Sequence, residues 1–175
     1  MSNENVVHSV SRRLTTAEEI FLSQLDPSEY YLNIAISSDR VAAALLERGY
    51  RVQNLQLSTN SIGEIDSLNE VSLLEGFSDE QFDSILFMGG LSNVRQPKLL
   101  LDELHRLLKP GGFLAISEQM GSEAGSLNGA AKYTEETFLL EVGESQFTLY
   151  NFINDKQYGG EGQIGLSLWK KSIIQ

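Results

Sequence analysis

The chain has 175 residues, 41% of them hydrophobic and 21% charged, which argues against a disordered or fibrous protein and suits one domain around one core. Lys and Arg total 13 against 24 Asp and Glu, a net charge of −11 that repels phosphate backbones unless a local basic patch intervenes. The densest basic pairs are only Arg12-Arg13 and Lys170-Lys171. Cysteine is absent, which excludes disulfides, thiolate metal sites and Cys nucleophiles, and His8 and His105 lie too far apart in sequence to suggest a His-rich metal site. No apolar leader stands at the N-terminus and no apolar run is long enough to span a bilayer. The expectation is a soluble, cytoplasmic protein without nucleic-acid, membrane or metal partners.

Residues 1–14 are polar and aperiodic and read as a flexible N-terminal arm, leaving 15–175 as a single domain. Thr16 and Glu19 have capping-box spacing ahead of Ile20, Phe21, Leu22 and Leu25, which predicts a helix over 16–25 stopped by Asp26-Pro27. Tyr30 to Ile36 is a short apolar run of aromatic and β-branched residues, a buried strand. Ser37-Ser38-Asp39 turns the chain and caps a helix over 40–48, which ends at Gly49. A second strand follows over 50–57. Strand, helix and strand in so few residues form a right-handed crossover between parallel neighbours.

Residues 58–81 carry at most one short helix and one irregular strand. Phe82 to Met88 is a buried strand running into Gly89-Gly90. Gln96 to Leu108 places Leu100, Leu104, Leu107 and Leu108 on an inward face and is halted by Lys109-Pro110-Gly111-Gly112. Phe113 to Ser117 is the next strand, and residues 121–131 form a Gly- and Ser-rich loop. A helix near 134–142 precedes two strands, about 147–154 and 163–170, joined by a turn around Gly159–Gly162. The sum is an α/β three-layer sandwich, with a Rossmann-like, mostly parallel sheet and an antiparallel C-terminal hairpin. Ligands of such sheets sit beyond the carboxyl ends of the strands, here residues 35–39, 56–60, 89–93 and 117–122.

The segment FDSILFMGGLSNVRQPKLLLDELHRLLKPGGFLAISE resembles the strand, helix and strand that follow the cofactor site in class I S-adenosylmethionine-dependent methyltransferases. Upstream, YLNIAISSDRVAAALLERGYRVQNLQLS is similar to the first strand-helix-strand unit of that family. The resemblance covers about residues 30–120 and implies the family's cofactor positions at Asn33, Ala35, Ser37, Asp39, Gln56 and Gly89. In the family the first of these is acidic, the next three are glycines of a tight turn, and the residue ending the second strand is Asp or Glu binding the ribose hydroxyls. Here all five depart from the pattern.

Each departure has a physical cost. A Cβ at Ala35 and Ser37 narrows the space beside the backbone. Asp39 brings a negative charge toward the place of the cofactor's carboxylate. Gln56 forfeits charge-assisted hydrogen bonds worth about 1.5–3 kcal/mol each, so the combined loss is roughly a thousandfold in affinity.

The resemblance, so altered, implies a degenerate methyltransferase-like domain that has lost efficient S-adenosylmethionine binding. It would use no cofactor and act as an interaction or regulatory subunit, with a protein partner or a second copy of the chain. The alternative is a divergent S-adenosylmethionine-dependent methyltransferase acting on a small molecule, with residues 121–131 and Tyr133 closing over it. A third reading is a crevice repurposed for other chemistry, with Glu118 as a general base. Asn33 fits either a pocket residue or a strand-end Asn bonding its own turn; Gln56 fits either a ribose contact or a solvated strand end. His105 reads as structural, and Trp169 and Tyr150 as sheet-packing residues.

Overall fold

The computed structural model describes residues 14, 16–35, 40–57, 67–88, 90–121, 132–155 and 162–173. Nearly all of the N-terminal arm, the Ser37–Asp39 turn, Gly89 and most of the 121–131 loop lie outside these residues. Helix α1 (Thr16–Leu22) is followed by strand β1 (Tyr30–Ala35), helix α2 (Arg40–Glu47) and strand β2 (Arg51–Gln56). Helix α3 (Ser67–Leu74) takes in Val71 to Leu74, and no strand occurs among the described residues between β2 and Phe82. Strand β3 (Phe82–Met88), a 3-10 turn (Leu91–Asn93), helix α4 (Pro97–Leu107) and strand β4 (Leu108–Gly121) come next. Helix α5 (Glu135–Gly143) and strands β5 (Phe147–Asp155) and β6 (Gly162–Lys171) complete the chain.

The six strands form one sheet in the order β2-β1-β3-β4-β6-β5. Strands β2, β1, β3 and β4 are parallel, while β6 runs antiparallel to β4 and β5 antiparallel to β6. The mostly parallel sheet with an antiparallel C-terminal hairpin is the one the sequence pattern predicts.

Both faces are covered, and alternation along the strands decides which residue goes where. Leu32, Ile34, Ile85, Phe87, Leu114 and Ile116 pack against α3, α4 and α5 through Leu74, Leu104, Phe138 and Val142. Tyr31, Leu86, Ala115 and Leu168 face the other way, against Phe21 and Leu22 of α1 and Val41 and Leu45 of α2. Helix α4 contributes Leu100, Leu101, Leu104 and Leu107, all buried, each worth about 2–3 kcal/mol of gross hydrophobic burial.

Polar contacts fix the helix ends. Pro97 opens α4, where its missing N–H costs nothing. Thr134 caps α5, its Oγ1 accepting from Thr137 N at 3.2 Å while Thr137 Oγ1 accepts from Thr134 N at 2.9 Å. Arg106 of α4 donates to the carbonyls of Leu74 and Phe77 and pairs with Glu103 and Asp79, tying α3 and its exit to α4.

Strand β4 starts five residues before the expected Phe113. Lys109-Pro110-Gly111-Gly112 stops the helix as predicted, but the chain continues beside β3 through a register shift between Phe82 and Ser84. Gly112 permits that approach: a Cβ there would lie 2.7 Å from Asp83 O and 2.9 Å from Lys109 O.

Candidate active site at the carboxyl ends of the strands

The register brings the ends of four parallel strands level. Ala35 pairs with Gln56 on one side and Met88 on the other, and Met88 pairs with Ser117. Leu57 N donates to Ala35 O at 2.8 Å, so the backbone holds β2 to β1 up to the rim. The sequence-predicted positions Asn33, Ala35 and Gln56 are therefore brought together; Ser37, Asp39 and Gly89 lie outside the described residues.

Asn33 is 1% exposed. Its Nδ2 donates to Asn54 Oδ1 at 3.3 Å across the strand pair, and its own Oδ1 is buried with no partner among the described residues. It thus bonds the neighbouring strand; the turn that follows β1 lies outside the described residues. Ala35 is buried, and Gln56 at the end of β2 is exposed, with its amide free to meet solvent or a ligand. A carboxamide both accepts and donates, as do ribose hydroxyls, so the polar end that the resemblance implies for the cofactor ribose is still open.

Beyond β3 the backbone makes a sharp excursion. Gly90 has φ 95 and ψ 120, a conformation essentially confined to glycine, and a Cβ there would lie 3.1 Å from Ser92 Oγ, 3.3 Å from Glu118 Oε1 and 3.4 Å from Asn93 Nδ2. The bare glycine lets the backbone pass close to these side chains. Glu118 lies beneath it. On β4, Ile116, Glu118 and Met120 share one face, so a carboxylate occupies a position flanked by apolar core residues. Ser92 N donates to Glu118 Oε2 at 3.1 Å, while Glu118 Oε1 is buried without a partner among the described residues. Burial pushes the Glu118 carboxyl above its ordinary value, opposed by hydrogen bonds from Ser92 and from the backbone of Leu91 and Gln119.

Tyr133 returns to the same face. It forms a parallel bridge with Met120, and Gly121 N donates to Tyr133 O at 3.0 Å. Its ring stands edge-on to Phe138 with centroids 5.9 Å apart, and its hydroxyl is buried with no partner among the described residues. Burial, with the charges of Glu141 and Glu118, pushes that phenol up. Tyr133 also walls a groove of about 500 Å³ between the start of α4 and α5, lined by Pro97, Lys132, Thr137 and Leu140 among others.

The remaining sequence candidates make ring contacts and hydrogen bonds within the chain. His105 stacks edge-on against Phe147 at 5.4 Å, and burial pushes its imidazole down. Trp169 Nε1 donates to Ser167 Oγ at 2.8 Å, and Tyr150 is an exposed residue resting against Phe113. Ser92 was not legible as a site residue in the sequence. The signal for its partner was present, a Glu set on an apolar face.

A methyltransferase-domain family model matches residues 32–116, from inside β1 to inside β4. This stretch, just under half of the chain, is similar to a methyltransferase domain. A demethylmenaquinone methyltransferase of Clavibacter sepedonicus is 31% identical over 99 residues, a match that covers 55% of this chain and 40% of that protein's length. Among solved structures, the 1,6-didemethyltoxoflavin-N1-methyltransferase of Burkholderia thailandensis, bound to 1,6-didemethyltoxoflavin and S-adenosylhomocysteine, superposes with a TM-score of 0.69 at 18% identity, covering 90% of this chain and 77% of that one. The [4+2]-cyclase SpnF gives a TM-score of 0.67 at 14% identity, covering 90% and 81%. At these identities the two structures establish the fold alone, which is that of the class I S-adenosylmethionine-dependent methyltransferases.

The methyltransferase domain overturns two expectations from the sequence. One is a degenerate, regulatory subunit; the other is the absence of a cofactor. Both rested on the altered positions Asn33, Ala35, Ser37, Asp39 and Gln56. The family match extends across Asn33, Ala35 and Gln56 as they stand, and at the rim Gln56 is exposed rather than packed into the crevice.

Proposed function

We propose that the chain is an S-adenosylmethionine-dependent methyltransferase acting on a small molecule. The observation that carries this reading is the methyltransferase-domain match over residues 32–116, which takes in the strands whose carboxyl ends form the rim. The relatives named demethylmenaquinone methyltransferase support a small acceptor, and the net charge of −11 disfavours a nucleic acid one.

When bound, S-adenosylmethionine supplies an electrophilic methyl group on a sulfonium sulfur. Gln56 would hold the ribose hydroxyls through its carboxamide, and the backbone at the end of β1 and at Gly90 would approach the donor closely, as only a side chain as small as Ala35 or none at all permits. Glu118 fixes the turn that carries Gly90 to Asn93 by accepting from Ser92 N, so the rim is held before a ligand arrives. Among the described residues no helix is long and apolar enough to cross a membrane. A cytoplasmic setting is part of the proposal, since a diffusible nucleoside donor is available there.

Calorimetry with S-adenosylmethionine and S-adenosylhomocysteine tests the reading directly. Binding in the micromolar range, with the methyl group passing from labelled donor to a small aromatic acceptor, is the expected result. No heat at millimolar ligand would overturn it.

A further inference from the structure

Among the described residues, nothing neutralises the carboxylate of Glu118. The residue is 1% exposed, pairs in register with Gly165 of β6, and is flanked on its own face by Ile116 and Met120. Ser92 N donates to Oε2 at 3.1 Å, and Oε1 has no hydrogen-bond partner among the described residues. None of the ion pairs among those residues includes it. The groups around it supply no counter-charge. The turn after β3 brings Ser92 and Asn93, and β6 brings only a glycine. The returning chain brings Tyr133, a phenol that burial keeps uncharged, and Lys132, whose Nζ donates to Val94 O at 3.3 Å and lies 5.7 Å from the centre of the Tyr133 ring. Glu141 of α5 acts on that phenol with the same sign as Glu118. A buried carboxylate without a counter-charge is costly, and a cation carried in by a ligand lowers that cost.

The register places this charge at the rim. Glu118 Oε1 lies 3.3 Å from where a Gly90 Cβ would stand, against the turn that leaves β3. Ser117, the residue before it, pairs with Met88, and Met88 pairs with Ala35. Neighbouring strands are about 4.8 Å apart, so two spacings set Glu118 about 10 Å from the end of β1. A donor seated over the ends of β1 and β3 falls within that distance. Charges so placed, with apolar core on one side, are only partly screened by solvent and act on each other without touching.

We propose that Glu118 is the counter-charge of the donor's sulfonium, a specificity-determining residue that biases the site toward S-adenosylmethionine and against S-adenosylhomocysteine. The two ligands share their adenosine, carboxylate and ammonium groups. They differ by one methyl group and by one positive charge at sulfur, so a buried carboxylate near the rim acts on that difference alone. Transfer of the methyl group removes the charge and the attraction with it, which favours release of the spent donor. The same coupling runs through protons. Burial raises the unliganded carboxyl, and a nearby cation stabilises its ionised form. Binding of the sulfonium donor therefore expels a proton and tightens as the pH rises, until the unliganded carboxyl is itself ionised. Binding of the neutral thioether does neither. The inference rests on the proposed methyl transfer and adds the residue that tells donor from product.

Calorimetry on the full chain tests this with S-adenosylmethionine, S-adenosylhomocysteine and sinefungin, which carries an ammonium group where the donor carries its methylsulfonium. Glu118→Gln keeps an acceptor for Ser92 N and removes the charge. It should weaken the two cationic ligands about tenfold and move S-adenosylhomocysteine by less than about twofold. A second measurement needs no variant. On the acid side of neutrality the unmodified chain should bind S-adenosylmethionine more tightly with rising pH and release a proton, read as a heat that depends on the ionisation enthalpy of the buffer, while S-adenosylhomocysteine shows neither effect. Equal weakening of all three ligands by Glu118→Gln, as a role confined to holding the turn predicts, would overturn the proposal. So would parallel pH profiles for donor and product, which decide the matter alone if the variant does not fold. Failure of the unmodified chain to bind any of the three would instead overturn the methyltransferase reading itself.

Discussion

Gly90 tests whether the rim is built as described. Its φ of 95 with ψ of 120 lies outside the left-handed helical region that Asn tolerates, in territory essentially reserved for glycine. Replacing it with Ala imposes a backbone penalty of about 1–3 kcal/mol. The new Cβ would also stand 3.1 Å from Ser92 Oγ and 3.3 Å from Glu118 Oε1, tight contacts with side-chain ends that yield by a few tenths of an ångström. Most of the loss is therefore backbone strain. A central value of about 2 kcal/mol lowers the melting temperature by about 4–8 °C for a domain of this size. Gly90→Asn should lose as much as Gly90→Ala, because the strain lies outside the region where Asn is at ease.

Urea unfolding followed by circular dichroism gives the stability, and calorimetry with S-adenosylhomocysteine gives the effect on the rim. Both variants should bind more weakly, since relieving the strain moves the turn that Glu118 holds through Ser92 N. An Asn variant as stable as the unmodified chain would refute the conformational reasoning.

Two further predictions follow from the same rim. Gln56→Glu restores a carboxylate at an exposed strand end, and charge-assisted bonds to the ribose should tighten S-adenosylmethionine roughly tenfold without loss of stability; unchanged affinity would place the ribose elsewhere. Burial raises the Glu118 carboxyl above its ordinary 4.5, so the stability it contributes is present below pH 4.5 and lost as the pH rises and the buried group ionises. Glu118→Gln removes that loss, and the variant should gain on the unmodified chain as the pH rises above 4.5, whereas urea curves that stay parallel with rising pH would show that the charge carries no burial penalty.

The framework was legible because it depends on apolar spacing. Tyr31 and Leu32 go to opposite faces by alternation alone, and Leu100, Leu104 and Leu107 mark the inner face of α4 at helical intervals. The early start of β4 was not legible. Lys-Pro-Gly-Gly reads as a stop, and it does end the helix. That the stopped chain then lies against β3 depends on Gly112 meeting the Asp83 carbonyl, a contact 29 positions away in sequence (112 − 83). Glu118 could be placed on the rim from the strand pattern. Its partnership with Ser92 and its nearness to Tyr133 are tertiary facts that only the register supplies. Asn33 was similarly half-legible: its position in β1 was plain, but its bond to Asn54 requires the parallel pairing of β1 with β2.

The altered cofactor positions misled because the cost of each was taken at its full side-chain value. A carboxamide at position 56 keeps one acceptor and adds a donor, and ribose hydroxyls can use both. What is lost is the charge assistance, about half the strength of each bond, so the deficit over two bonds is about 1.5–3 kcal/mol rather than the sum of two bonds removed. The strand ends themselves do not depend on those side chains. Ala35 O is held by Leu57 N, and the pairing of Ala35 with Gln56 and Met88 runs through backbone atoms that every residue type provides. On the proposed reading, a rim fixed by the main chain and deprived of charge assistance at Gln56 would hold its donor more weakly by roughly ten- to a hundredfold at that contact, a shift in affinity rather than the loss of a reaction.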